Sequence, residues 1–560
     1  MKLPEIPVQR WEDVSALFEE LVERPIASHA ELKLWLTDRS ELDAYLQEDL
    51  GWRYIRQTCD TTDESKRELL NFFIQEIEPH LAKYADELNR KMLGSPFLSQ
   101  LTETGYSVYL RGVKKEVELF REENIPLLTD IQTLGNEYGQ ISGSMTVELD
   151  GKTVTFQQAA VELKSSDRAL RKEVYTKINE RRLSSATELN SLFNKLLNLR
   201  HQVAVGADYE NFRDYMFDAL GRFDYTAQHC FDFHNSVAEH IVPIISSFES
   251  ERKRLLDYEK LMPWDLEVDP ELQAPLEPYK NSDDLIEKTI EVFSRIRPDF
   301  GQVIRLMQEK GHLDLDSRIG KAPGGYNYPL HRSSLPFIFM NSAGTMRDMV
   351  TMMHEGGHAV HSWLSKDLDL TAFKSTPSEI AEVASMAMEL ISMEHWDVFF
   401  QDAETLKRAR KYQLEKILSI LPWIATVDAF QHWLYLNPKH SEQDRQVEWI
   451  RVFRKYAGNV IDRSETSAYE PFGWHRQLHI FEVPFYYIEY GIAQLASIGI
   501  WKNYKTNPQK TLEQYTTALT AGYTHTLPEL YEMAGIKFDF SSEYIRELAA
   551  FVQDELNQLK

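Results

Sequence analysis

Residues 354–361 read HEGGHAVH, which places three imidazoles and a carboxylate within eight positions. On a helix, His354 and His358 share a face at a spacing of four, and His361 falls on that face seven residues after the first. Glu355 is rotated from them by one residue step, ~100°. Neutral imidazole nitrogens suit Zn2+. A His pair at i, i+4 with a Glu after the first His is an arrangement in which two imidazoles hold zinc and the Glu takes a proton from metal-bound water. The chemistry indicated is metal-assisted hydrolysis, with Glu355 as general base.

Two imidazoles leave such a site one protein ligand short, and three ligands along one helix face converge poorly on a tetrahedral ion. The missing donor is expected from another helix. Thr376-Pro377-Ser378-Glu379 reads as a capping box with Pro at the first helical position, opening a helix through IAEVASMAMELISMEHW. Glu379 is then occupied by the cap. Glu382 lies one turn on, beside Ala381 and Ala384, small residues that permit close helix approach, and is the expected third ligand. A solvated or buried helix acid is the bland alternative for Glu382. Glu389 lies seven residues further on the same face and could orient a ligand imidazole. His361 competes as a ligand but reads better as a residue behind the ligands or facing substrate.

The motif helix needs a start, and Thr345-Met346-Arg347-Asp348 supplies one, a hydroxyl at the N-cap with a carboxylate three residues later. Gly356 and Gly357 each cost about 1 kcal/mol relative to Ala inside a helix, so they should serve close packing or access on the metal side. Just upstream, APGGYNYPLHRSSLPFIFMNSAG is punctuated by Gly and Pro and cannot sustain a helix. Its PFIFMN run reads as a strand. At a sheet edge such a strand would add a peptide backbone by hydrogen bonding, and in a covered position it would be purely structural. Gly324-Gly325-Tyr326 reads as a flap over bound substrate or as a simple turn.

The wider chain is an ordinary globular one of 560 residues, 43% apolar and 12% aromatic. Apolar spacing of three and four, as in LLNFFIQEIEPHLAKYADEL from Leu69, makes the fold mainly α. SMTVELDGKTVTF is the exception, with Asp150-Gly151 suited to a type I′ hairpin near 143–156. The division expected from length is 1–190, a helical region with the hairpin, and 191–560, the catalytic domain. A formal charge of −25 without a dense basic run argues against nucleic acid as a partner. Cys59 and Cys230 are the only cysteines and form no CxxC pattern, which fits a reducing compartment. The first residues lack a continuous apolar stretch, and ILSILPWIATV is short and Pro-broken, so neither a secretory signal nor a membrane span is expected and the location reads as cytoplasmic.

With HEGGHAVH at 354–361 and PSEIAEVAS at 377–385, the chain resembles the M3 family of zinc metallopeptidases, thimet oligopeptidase relatives, and most closely the oligoendopeptidase F branch. PFIFMNSAGT and HIFEVPFYYIEYGIAQL extend the similarity over most of residues 200–550. The resemblance implies a large helical ellipsoid with a deep central substrate channel and a short active-site sheet. It also implies one zinc per chain on His354, His358 and Glu382, Glu355 as base, and short peptides as substrates. His479, Tyr486, Tyr487 and Tyr490 resemble the family's substrate-facing histidine and tyrosines. Among them His479, Tyr490 and Tyr486 are the oxyanion-stabilising candidates, and Pro484 is the expected start of their helix. Tyr487, His361, Gly325 and Tyr326 are the expected substrate contacts, and the chain is expected to be a monomer or small homo-oligomer. The expected activity is cleavage of internal bonds in short oligopeptides. A zinc carboxypeptidase, needing a cation for the terminal carboxylate, and a silent peptide-binding relative are the alternatives.

Overall fold

The computed structural model describes residues 3–4, 6–318, 320–322 and 324–559. Part of the sequence reading of the extreme N-terminus, and Pro323, lie outside the described residues. The chain is mostly helical with a few short strands. It forms two compact units, each assembled from three stretches: 1–122, 276–410 and 493–538 in the first, and 123–275, 411–492 and 539–560 in the second. Among the described residues no helix is long and apolar enough to cross a membrane.

The helices used below are, in chain order, α1 (His29–Cys59), α2 (Ala186–Gly206), α3 (Ala227–Ser236), α4 (Ser282–Ile296), α5 (Met346–Ser365), α6 (Ser378–Ser392), α7 (Ala403–Leu436) and α8 (Tyr487–Thr506). The strands are β1 (Thr146–Leu149), β2 (Lys152–Thr155), β3 (Leu313–Asp316), β4 (Tyr326–Tyr328) and β5 (Phe337–Ser342).

In the first unit, β3, β5 and β4 form a three-stranded sheet in that order, β3 parallel and β4 antiparallel to β5. PFIFMN is thus the central strand, the covered one of the two positions its sequence leaves open. Phe337 to Met340 are all buried, so pairing on both sides is what a strand apolar on both faces requires. The sheet packs on α1 through Ile55, Leu330, Phe337 and Phe339, with Trp52 and Tyr328 against them. Gly51 of α1 permits the close approach, since a Cβ there would lie 2.5 Å from the Tyr328 ring.

In the second unit β1 and β2 form the expected hairpin, with Asp150 at φ 50° and Gly151 at φ 73°, both in the left-handed region a type I′ turn needs. The same unit buries His475, 1% exposed, with Nε2 3.2 Å from Asn190 Oδ1 of α2. Burial, with Arg445 and Arg182 nearby, pushes that imidazole down to about 3. A histidine whose folded value is depressed contributes stability above its unfolded value of about 6.5 and loses it as pH falls through that value. Between pH 6.5 and 5 the loss is about 2 kcal/mol from this residue alone. Urea unfolding at pH 7 and pH 5 is expected to show a smaller acid penalty for His475→Gln than for the parent. Equal penalties would show that His475 does not carry the effect.

Candidate metal centre

Thr345 caps α5 as its sequence predicts, with Asp348 N donating to Thr345 Oγ1 at 3.3 Å. The Asp348 carboxylate accepts from the backbone of Thr345 and Ala343, and from the Tyr279 hydroxyl at 3.0 Å. The helix start is thereby fixed by several bonds rather than one. α6 starts differently from expectation. Pro377 itself is the N-cap, no side chain caps the helix, and Ser378 is the first helical residue. Proline presets the extended backbone of the cap, while its carbonyl accepts from Ile380 and Ala381. Glu379 is buried, and its carbonyl accepts from the Tyr531 hydroxyl at 3.1 Å.

The two glycines of the motif face different neighbours. A Cβ on Gly356 would lie 2.6 Å from the Phe293 ring of α4. One on Gly357 would lie 2.7 Å from both the Ala384 carbonyl oxygen and the Ser385 Cα of α6. Gly357 therefore lets two helix backbones touch, one turn from the residues that face each other across the gap.

There, one donor atom each from His354, His358 and Glu382 lies within 4.8 Å of the others. His354 Nε2 is 3.3 Å and His358 Nε2 3.7 Å from Glu382 Oε2. Tetrahedral zinc with bonds of about 2.0–2.1 Å spaces its ligands about 3.3–3.4 Å apart, so the donor set fits such an ion in both chemistry and spacing. Glu389 Oε1 lies 2.7 Å from His354 Nδ1, which leaves Nε2 as the nitrogen available to a metal. Ser385 donates to Glu382 Oε2 at 3.1 Å and holds that carboxylate from behind.

Burial alone would depress His354, but Glu382 and Glu389 hold it well above its ordinary value. Burial would raise Glu382, yet hydrogen bonding from His354 and the charge of His358 bring it down to about 2. Burial lowers His358 to about 4 and His361 to about 3. It raises Glu355, 6% exposed, to about 7, with His354 opposing and Glu382 and Glu389 adding to the rise. A cation beside Glu355 would pull it back down.

The family profile of Peptidase family M3 matches residues 161–550, and that of the Peptidase M3 N-terminal domain matches residues 4–120. The chain belongs to peptidase family M3. An oligoendopeptidase F homolog of Borreliella burgdorferi is 22% identical over 73% of this chain and 70% of its own length. The chromosomal oligoendopeptidase F of Lactococcus lactis subsp. cremoris is 21% identical over 57% of this chain, which spans only 52% of that protein. Among solved structures, PZ peptidase A with an inhibitor is 26% identical, with a TM-score of 0.92 over 100% of this chain and 98% of that one. These relatives place the M3 peptidase on the oligoendopeptidase F branch, and its activity is that of a peptidase.

The other expected site residues fall in two groups. In the first unit of the M3 peptidase, His361 is buried with Nε2 in no hydrogen bond, and it stands outside the three-donor group. Gly325 precedes β4, where its Cβ would meet the Phe339 carbonyl oxygen at 3.4 Å. Tyr326 pairs with Phe339 in the ladder, stacks on its ring and hydrogen-bonds Thr58 Oγ1 at 2.6 Å. The Gly324-Gly325-Tyr326 segment is accordingly a turn entering a strand. Asn327, between the two tyrosines, donates to the Glu355 carbonyl at 3.1 Å and ties the sheet edge to the motif helix.

In the second unit, His479, Tyr486, Tyr487 and Tyr490 gather into one cluster, with His479 4.7 Å from the Tyr487 ring and 5.9 Å from those of Tyr486 and Tyr490. Gln477 contacts His479 Nδ1 at 2.7 Å. Their helix begins at Tyr487 rather than at Pro484, because Phe485 is in the left-handed region at φ 70°. The Phe485 N–H donates to Gln431 and its carbonyl accepts from Arg222, which hold that kink. Tyr486 thus precedes the helix, yet its ring is 5.4 Å from Tyr490.

Glu389→Gln removes the charge that orients His354. Metal affinity, measured by chelator competition, is expected to fall about 10- to 100-fold. Unchanged affinity would make Glu389 a bystander.

Proposed function

We propose that this chain is a zinc-dependent endopeptidase of the cytoplasm that hydrolyses internal bonds of short oligopeptides. The observation that carries this reading is the donor spacing of His354, His358 and Glu382, with Glu355 on the same helix. Names of the relatives, oligoendopeptidase F among them, support the substrate class.

Zinc held by those three side chains would polarise the scissile carbonyl and make an attacking water more acidic. Glu355 then accepts the proton of that water and returns it to the leaving amine. His479, Tyr490 and Tyr486 are assigned to donate hydrogen bonds to the oxyanion, and Tyr487 and His361 to contact substrate. Gly325 and Tyr326 are assigned to the peptide main chain. The strand-addition role passes from PFIFMN to β4, the edge strand that Asn327 ties to the motif helix.

The test is turnover of an internally quenched short peptide, its C-terminally amidated form and a folded protein, with metal content measured alongside. The parent is expected to hold zinc, to cut both peptides at internal bonds and to spare the folded protein. Chelation should abolish cutting and added zinc should restore it. Activity that survives complete metal removal would sink the proposal, and rejection of the amidated peptide would make the enzyme a carboxypeptidase instead.

A further inference from the structure

The second unit contains another group of metal-ligand side chains, separate from the M3 motif. Cys230 and His234 are one turn apart on α3, and Asp428 and His432 are one turn apart on α7. One donor atom each from Cys230, Asp428 and His432 lies within 4.8 Å of the others. All four residues are nearly inaccessible, at 2%, 3%, 0% and 2% in chain order. His234 Nε2 is 2.8 Å from Asp428 Oδ2, and His432 Nε2 is 3.2 Å from the same oxygen.

The hydrogen bonds around this cluster do not complete it. Asp428 Oδ1 and His432 Nδ1 are buried without a hydrogen-bond partner, and the Asp428 carboxylate is the one polar contact of His432 Nε2. A buried polar atom left without a partner loses its hydration with nothing in return. Phe217, Phe231 and Phe485 ring His432, with centroids 5.9, 4.8 and 5.4 Å from it, so the surroundings are apolar. A wholly buried carboxylate flanked by imidazoles needs positive charge, from a protonated imidazole or from a bound cation. A cation supplies that charge and also takes a lone pair from the carboxylate and one from a neutral imidazole. Side chains projecting inward from facing helices are also how helical folds build metal sites.

We propose that Cys230, Asp428 and His432 form a second, structural site for a zinc-like divalent cation, with His234 positioning Asp428. Thiolate, carboxylate and imidazole donors together select a borderline-soft ion over Mg2+ or Ca2+. The site is closed, and its work is to join α3 to α7 in the second unit. It does not depend on the catalytic reading.

The experiment uses the full chain carrying His354→Ala and His358→Ala, which removes the first site, produced in cobalt-supplemented medium. About one Co2+ per chain is expected, as for a single closed site, with a thiolate-to-cobalt charge-transfer band in the near ultraviolet. Cys230→Ser should abolish that band, Cys59→Ser should leave it unchanged, and His432→Ala should lower Co2+ affinity at least about 10-fold. Circular dichroism checks that each variant is folded. A folded double variant that binds no Co2+ would overturn the proposal, leaving Asp428 paired with a protonated imidazole, as would a band that follows Cys59. Peptide turnover is not the readout, so failure here and failure of the catalytic proposal are separable.

Discussion

Glu355→Gln is expected to retain the parent's metal content and thermal stability while lowering peptide turnover by about 10²- to 10⁴-fold, the span a positioned general base supplies. Gln keeps the volume and polarity of the side chain but can neither accept nor return a proton. The three proposed ligands are untouched, and their supports, Glu389 behind His354 and Ser385 behind Glu382, do not involve Glu355. Loss should therefore fall on kcat, with KM for a short peptide nearly unchanged, because a group acting only in the transition state contributes little to ground-state binding. Side-by-side kinetics and metal analysis decide it. Turnover within a few-fold of the parent would assign the base elsewhere, and loss of metal together with activity would show that Glu355 acts on the site's integrity.

The motif helix was readable in sequence because its determinants are local. Thr345 and Asp348 are three residues apart, the histidines four, and both relations are set by helix geometry alone. Glu382 could be singled out for a similar reason, since of the three acids on α6 it is the one set between the nearby small residues Ala381 and Ala384. Local pattern leaves the outcome open where distant residues decide. Phe485 holds a positive φ through Gln431 and Arg222, far away in sequence, and so delays the helix that Pro484 would otherwise open. PFIFMN became a central strand because partners on both sides came from separate segments, one parallel and one antiparallel. Ser385 and Asn327 were missed, as small polar residues with nothing in their local pattern to mark them. His234 and Asp428 are 194 residues apart, and no spacing rule joins them. The interleaving of three stretches into each compact unit is likewise invisible to a reading along the chain.

Gly357→Ala tests how the site depends on backbone contact. By helix propensity alone the change should stabilise α5 by about 1 kcal/mol. The new methyl, however, would meet the Ala384 carbonyl oxygen and Ser385 Cα at 2.7 Å and Met388 Cβ at 3.0 Å. Two of these are backbone atoms of a buried helix and cannot swing aside, and overpacking of this kind costs about 1–3 kcal/mol. Overpacking outweighs propensity, so a net loss in urea unfolding is expected. Relief requires α5 and α6 to part, and α6 carries Glu382 while α5 carries both histidines. A shift of about 1 Å at a catalytic constellation costs about 10²-fold, so kcat/KM and metal affinity should fall together. Gly356→Ala is the comparison, because its methyl would meet the Phe293 ring, a side chain that can tilt, on the helix that carries no ligand. It is expected to lower stability with a much smaller loss of activity. If Gly357→Ala instead keeps parent kcat/KM and metal affinity, the helices have slack, and the close contact at Gly357 is not what sets the spacing of the three donors.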